Sequence, residues 1–119
     1  MEEPFFVISV KHTMRRDPYI TLWRPDDCGY CFRIEAAGKY AKDRVSDRLG
    51  YYNSGCDSVV VPCSVLEKLA VRVKPGYLDE DGAAIPNTAK TWKTIKNSFV
   101  FAPAYEVLPE YKGAPRPRH

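Results

Sequence analysis

The first residues that could do chemistry are the four cysteines. Cys28-Gly29-Tyr30-Cys31 is a C-x-x-C in a turn, the spacing of one half of a structural zinc site. A closed tetrahedron needs two further soft or imidazole ligands. The remaining thiols, Cys56 and Cys63, have six residues between them, and Cys63 stands beside an expected helix start. That is not a second knuckle. Cys31 falls in an expected strand, where a thiol packs readily into a core. A redox C-x-x-C would precede a helix, whereas a strand is expected to follow this one. The expectation is therefore no metal and no cofactor, with Cys28, Cys31, Cys56 and Cys63 the residues that could overturn it.

Nucleophilic catalysis needs a thiol or hydroxyl, a base and an orienting group. The histidines are His12 and His119. A pairing of His12 with a cysteine and Asp26 or Asp27 can be drawn, but no spacing requires it, and an edge-strand histidine among basic neighbours is the plainer reading. Asp79-Glu80-Asp81 reads as a solvated acidic loop. No phosphate-cradling glycine motif or nucleophile elbow occurs. The chain is expected not to be an enzyme; a small zinc- or thiol-dependent enzyme is the alternative.

Cations and rings are the stronger lead. Lys11, His12, Arg15, Arg16 and Arg24 gather around the first two expected strands, with Trp23, Tyr51, Tyr52 and Asn53 beside them. Such a set suits phosphates and bases together, and it suits a protein interface equally, since Arg, Tyr and Trp dominate hot spots. Adjacent Tyr51 and Tyr52 are expected on the surface. Lys90, Lys93 and Lys96 fall three apart, as on the wet side of an amphipathic helix.

These residues need a frame. The chain has 119 residues, a hydrophobic fraction of 45%, a charged fraction of 28% and a net charge of +3. That is the size and composition of one folded domain. The charge favours anionic partners without demanding nucleic acid. No apolar run is long enough to span a bilayer. The opening Met1-Glu2-Glu3-Pro4 has no basic n-region, so a cytoplasmic location, in a bacterial host, is expected.

Phe5 to Val10 is a continuous apolar run of strand length. Tyr19 to Trp23 and Tyr30 to Glu35 alternate, around turn chemistry at Pro25-Asp26-Asp27-Cys28-Gly29. A helix is expected over 41–49 with Gly50 as its stop, then a loop over 51–58 and a strand over 59–61. A capping box at Ser64 and Glu67 opens a second helix. Val71 to Lys74 reads as a strand edge, and Thr88 caps a third helix over 89–97. The fold class is α+β: an antiparallel sheet of about four to five strands with two or three short helices on one side. Residues 1–108 form one domain, and 109–119 form a basic, proline-rich, mobile tail.

The segments Trp23-Arg24-Pro25-Asp26, Gly29-Tyr30-Cys31, Ala37-Gly38-Lys39-Tyr40 and Gly50-Tyr51-Tyr52-Asn53 carry a resemblance to small proteins encoded by tailed phages and prophages of Gram-negative bacteria. Lys11-His12-Thr13 and Val61-Pro62-Cys63 extend it over about residues 8 to 71. It implies a setting: a phage accessory protein that works by binding, against host defence, by inhibiting a host protein or sequestering an anionic signalling nucleotide. A nucleic-acid-binding role in phage replication or regulation is the alternative, and a homo-oligomer is compatible with either.

Overall fold

The run Phe5–Ser9 (β1) is apolar throughout because both of its faces are covered: all five residues are buried. A strand sealed on two sides loses the alternation that a half-wet strand keeps. In the computed structural model, which describes residues 2–77 and 81–115, β1 lies inside a four-stranded antiparallel sheet. Its neighbours are Leu22–Trp23 (β2) and Ser58–Pro62 (β4), and Tyr30–Cys31 (β3) pairs with β2, giving the order β3-β2-β1-β4. The longest ladder joins Phe5 opposite Pro62 to Ser9 opposite Ser58. Val71–Arg72 (β5) and Ala83–Ala84 (β6) form a separate antiparallel pair. The α+β class expected from the sequence is what the chain adopts.

Helices cover both faces of the sheet rather than one. Phe6, Ile8, Leu22, Val59 and Val61 meet Leu66 of Cys63–Leu69 (α3) together with Trp92 and Ile95 of Ala89–Lys96 (α4). On the other face, Phe5, Val7 and Val60 meet Val45 of Lys42–Ser46 (α1) and Tyr52 of Leu49–Tyr52 (α2). Two adjacent side chains of β1 point to opposite sides, so its unbroken apolar run requires two apolar partners. Gly50, expected as a stop, lies inside α2, and the expected loop at 51–52 is its last turn.

Two expected strands are shorter than their alternation suggests. Before β2, the Ile20 N–H donates to the Ile85 carbonyl (2.9 Å), and Asn87 N–H donates to Pro18 O (2.9 Å), so this stretch pairs with 85–87 instead of β1. After Cys31 the chain turns into a 3₁₀ turn at Ile34–Ala36. There the Glu35 carboxylate takes the Ala83 N–H, and Arg33 bridges Ala84, drawing the segment to the second sheet.

The capping box is replaced by a longer-range cap. Ser64 N–H donates to the Glu3 carboxylate at 2.7 Å, and Pro62 is the helix N-cap. Pairing of Phe5 with Pro62 carries Glu3 to this helix start. The bond to Ser64 lowers the Glu3 pKa below its ordinary value. Thr88 does cap α4, accepting from Thr91 N–H at 3.2 Å. Lys90, Lys93 and Lys96 are all exposed on that helix.

The described part of the expected tail is fastened down. Buried Asn87 donates through Nδ2 to the carbonyls of Met14, Asp17 and Glu110, while its Oδ1 accepts from Trp92 Nε1 at 2.7 Å. Arg15 binds the Glu110 carboxylate (2.7 Å) and the Ala114 carbonyl (2.7 Å). Residues 109–115 therefore lie against the body; 116–119 are outside the described residues, as are 78–80 of the expected acidic loop.

The outer edge of β4 is also covered. Val60 N–H donates to Asn53 Oδ1 (3.0 Å), and Gly55 N–H donates to Ser58 O (2.9 Å). Gly55 sits at φ +95°, and a Cβ there would fall 1.9 Å from the Tyr105 carbonyl oxygen. Gly55→Ala should lower unfolding stability by roughly 2 kcal/mol or more through strain and collision. Thr88→Ala, which removes the cap and the hydroxyl's bond to Thr91 Oγ1, should cost about 1 kcal/mol. Urea denaturation of the two variants checks both the direction and the order.

Candidate functional site

The site begins where β1 ends. Ser9 Oγ accepts from the His12 N–H at 3.2 Å and lies 2.9 Å from His12 Nδ1. A serine hydroxyl has one proton and two lone pairs, so Ser9 Oγ can take the backbone N–H and still either donate to Nδ1 or accept from it. Thr13 secures the same turn: its hydroxyl donates to Ser9 O (2.7 Å) and accepts from Thr21 N–H (3.0 Å). The Ser9–His12 contact spans three residues and closes a turn. Among the described residues no hydrogen bond is made to Nε2.

From His12 a row of rings runs across the sheet. His12 stacks on Tyr30 with centroids 4.2 Å apart. Tyr30 pairs across the β2–β3 ladder with Trp23, which meets Tyr51 edge-on at 5.4 Å. Arg48 lies over the Tyr51 ring at 4.4 Å. These rings, with Ser9, Lys11, Asp27, Asp57 and Ser58, line an open cavity of about 500 Å³. That is within the size range of small-ligand sites.

One wall of the cavity is a strained loop. Asp26 and Asp27 have φ of 56° and 58°, both left-handed, in the 3₁₀ turn Pro25–Asp27. Aspartate tolerates this region better than most residues, yet two in succession must be held. The Tyr40 hydroxyl donates to Arg24 O (2.5 Å) and accepts from Asp27 N–H (2.9 Å). The Tyr52 hydroxyl donates to the Asp27 carboxylate (3.1 Å) and accepts from Arg44 Nε (3.0 Å). Arg44 also reaches Asp26 at 3.1 Å and Asp27 at 3.5 Å. Strain of this kind concentrates at ligand clamps. Gly38 passes beneath the loop: a Cβ there would come 2.6 Å from Pro25 Cα.

The residues expected to form one face divide into three groups. Lys11, His12, Trp23 and Tyr51 line the cavity together; Arg24 does not line it, and donates to Tyr30 O at 2.9 Å. Tyr52 and Asn53 are buried and structural, against the expectation for Tyr52: it is 1% exposed, while Tyr51 is 43% exposed. One tyrosine of an adjacent pair in a helix turn points in and the other out. Arg15 and Arg16 line a different cavity, which shares no residue with the first. Sequence reasoning missed Tyr40 and Arg44 as holders of this turn, and weighed Asp27 only as a partner for His12. The Asp26-Asp27 turn was visible, but the partners that hold it stand 13 to 25 positions away.

The cysteines do not converge. Cys28 and Cys56 are exposed, and Cys31 and Cys63 are buried. Among the described residues no group of three or more His, Cys, Asp or Glu is placed to hold a metal ion. Burial raises the Cys31 pKa and pushes that of Cys63 up to about 12. Both therefore remain thiols at neutral pH, and a thiol is a poor nucleophile. No helix among the described residues is long and apolar enough to cross a membrane.

Comparisons with family models, with curated proteins and with solved structures return no match. The site is read from its own geometry.

Two measurements probe the phenol clamp. Tyr52→Phe leaves the Asp27 carboxylate and Arg44 without their shared hydroxyl, and should cost about 1.5–3 kcal/mol in urea denaturation, the range for bonds to charged groups. Burial pushes the Tyr40 phenol up to about 12 from its ordinary 10. Its proton is held more tightly in the folded state, so its contribution to stability is whole below pH 10 and is lost between pH 10 and 12. Phenolate absorbance should show a late-titrating tyrosine that Tyr40→Phe removes.

Proposed function

We propose that this protein acts by binding, and that its cavity takes the planar ring of an anionic, nucleotide-type ligand. The observation that carries the reading is the convergence of His12, Trp23, Tyr30 and Tyr51 with Lys11 on one open cavity of about 500 Å³. Ring faces and edges accept a base by stacking, and a lysine offers a phosphate a point charge. Ser9, Ser58 and the carboxylates of Asp27 and Asp57 supply polar positions that fix a base's orientation. The clamp on Asp26 and Asp27 pre-organises the wall, which lowers the cost of ordering on binding.

Taken with the resemblance to tailed-phage proteins, the reading is an accessory protein of counter-defence type that withholds a signalling nucleotide from the host. Direct blocking of a host protein is the other form of the same role. Binding rather than turnover is favoured by the local, turn-closing character of the Ser9–His12 contact.

Calorimetric titration with a panel of linear and cyclic nucleotides tests this. At least one should bind, with recovery of the unchanged nucleotide afterwards, and Trp23→Ala should weaken it by about tenfold or more, given about 1–3 kcal/mol per stacked base. No binding by any nucleotide removes the sequestering form. Recovery of a converted product removes the non-enzymatic reading.

A further inference from the structure

The second cavity carries a separate inference. It measures about 710 Å³ and is lined by Met14, Arg15, Arg16, Lys112 and Gly113. Its two halves come from chain segments nearly a hundred positions apart, joined by the Arg15 bonds to Glu110 and Ala114. Asn87 fixes the same two segments to each other through Met14 O and Glu110 O. Hydrogen bonds thus tie both halves of the groove to one body.

Its chemistry is two-sided. Arg15 is neutralised by Glu110 at 2.7 Å. Arg16 and Lys112 are exposed and have no carboxylate partner among the described residues. Between them Met14 is 52% exposed, and a thioether on a flexible stem adapts to varied apolar side chains. Uncompensated cations beside an exposed apolar floor complement an apolar group flanked by carboxylates. The cavity is open to solvent.

We infer that the Met14–Arg16 and Lys112–Gly113 groove is a docking site for an acidic peptide segment of a partner protein, with an apolar side chain over Met14 and carboxylates on Arg16 and Lys112. This does not depend on the nucleotide reading, because the two cavities share no lining residue.

Fluorescence anisotropy with a labelled peptide of alternating Glu and Leu tests it on the full chain. The peptide should bind, and binding should weaken as salt rises. Replacing Glu by Gln or Leu by Ala in the peptide should weaken it too. Arg16→Glu with Lys112→Glu should weaken binding by about tenfold or more with the thermal midpoint unchanged. If that pair unfolds, Arg16→Gln with Lys112→Gln should give a smaller loss in the same direction. Trp23→Ala, which strips the other cavity, should leave peptide binding intact. No binding of the Glu-Leu peptide overturns the inference. So does equal binding by a folded charge-reversed protein, or loss of binding in a folded Trp23→Ala protein. Displacement of the peptide by octanoate at equal concentration would also overturn it, since the groove would then be a site for small amphipathic anions.

Discussion

Burial of one strand on both faces is the constraint from which the rest of this structure follows. β1 has no wet side, so each of its neighbours must bring apolar surface to one face or the other. α3 and α4 close one side, and α1 and α2 with Tyr40 close the other. A fully buried Ile, Val or Phe gains roughly 1.5–3 kcal/mol over an exposed one. Its neighbour β4 is buried at all five residues as well, with Val59 and Val61 in one core and Val60 in the other. The pairing with β4 also brings Glu3 to the start of α3, so a helix cap is supplied by the residue just ahead of the strand.

The second core does more than stabilise. Its two buried phenols, Tyr40 and Tyr52, have rings in the apolar layer and hydroxyls at its rim. A buried tyrosine needs a partner for its hydroxyl, and here the partners are the backbone and carboxylate of a left-handed turn. The turn's unfavourable φ angles are offset by those bonds and by Arg44. Packing on one side of the sheet is thereby converted into a fixed position for Asp27 on the cavity wall. The wall on the other side is set by the Ser9–His12 turn and its threonine ties to β2's lead-in.

The distribution of cations follows from the same architecture. Lys11 stands two residues past the end of β1 and stays with the ring cavity. Arg15 and Arg16 lie past the next turn, where Asn87 gathers the C-terminal segment, and they face a different cavity. Lys11 and His12 on one side and Arg15 and Arg16 on the other, four residues within six positions, thus serve two surfaces. The exposed lysines of α4 line neither of these two.

Much of this was written in local pattern. The unbroken apolar run at Phe5 announced a strand though not its cover on both faces, Thr88 announced the start of α4, and Pro25-Asp26-Asp27 announced a tight turn, because each depends on residues within a few positions. Lys11, His12, Trp23 and Tyr51 stand up to 40 positions apart, and it is the fold that brings them to one cavity. What local pattern could not decide was set by contacts made across the chain. Tyr52 turned inward because α2 packs on Val60's face, Asn53 became an edge cap for β4, and Ser64 took its cap from Glu3. The segment after Cys31 left the sheet because Glu35 and Arg33 found β6. In each case the deciding partner stands from seven to more than sixty positions away in the chain. Only the closed fold, where buried polar groups must find a bond or lose one to water, assigns such partners.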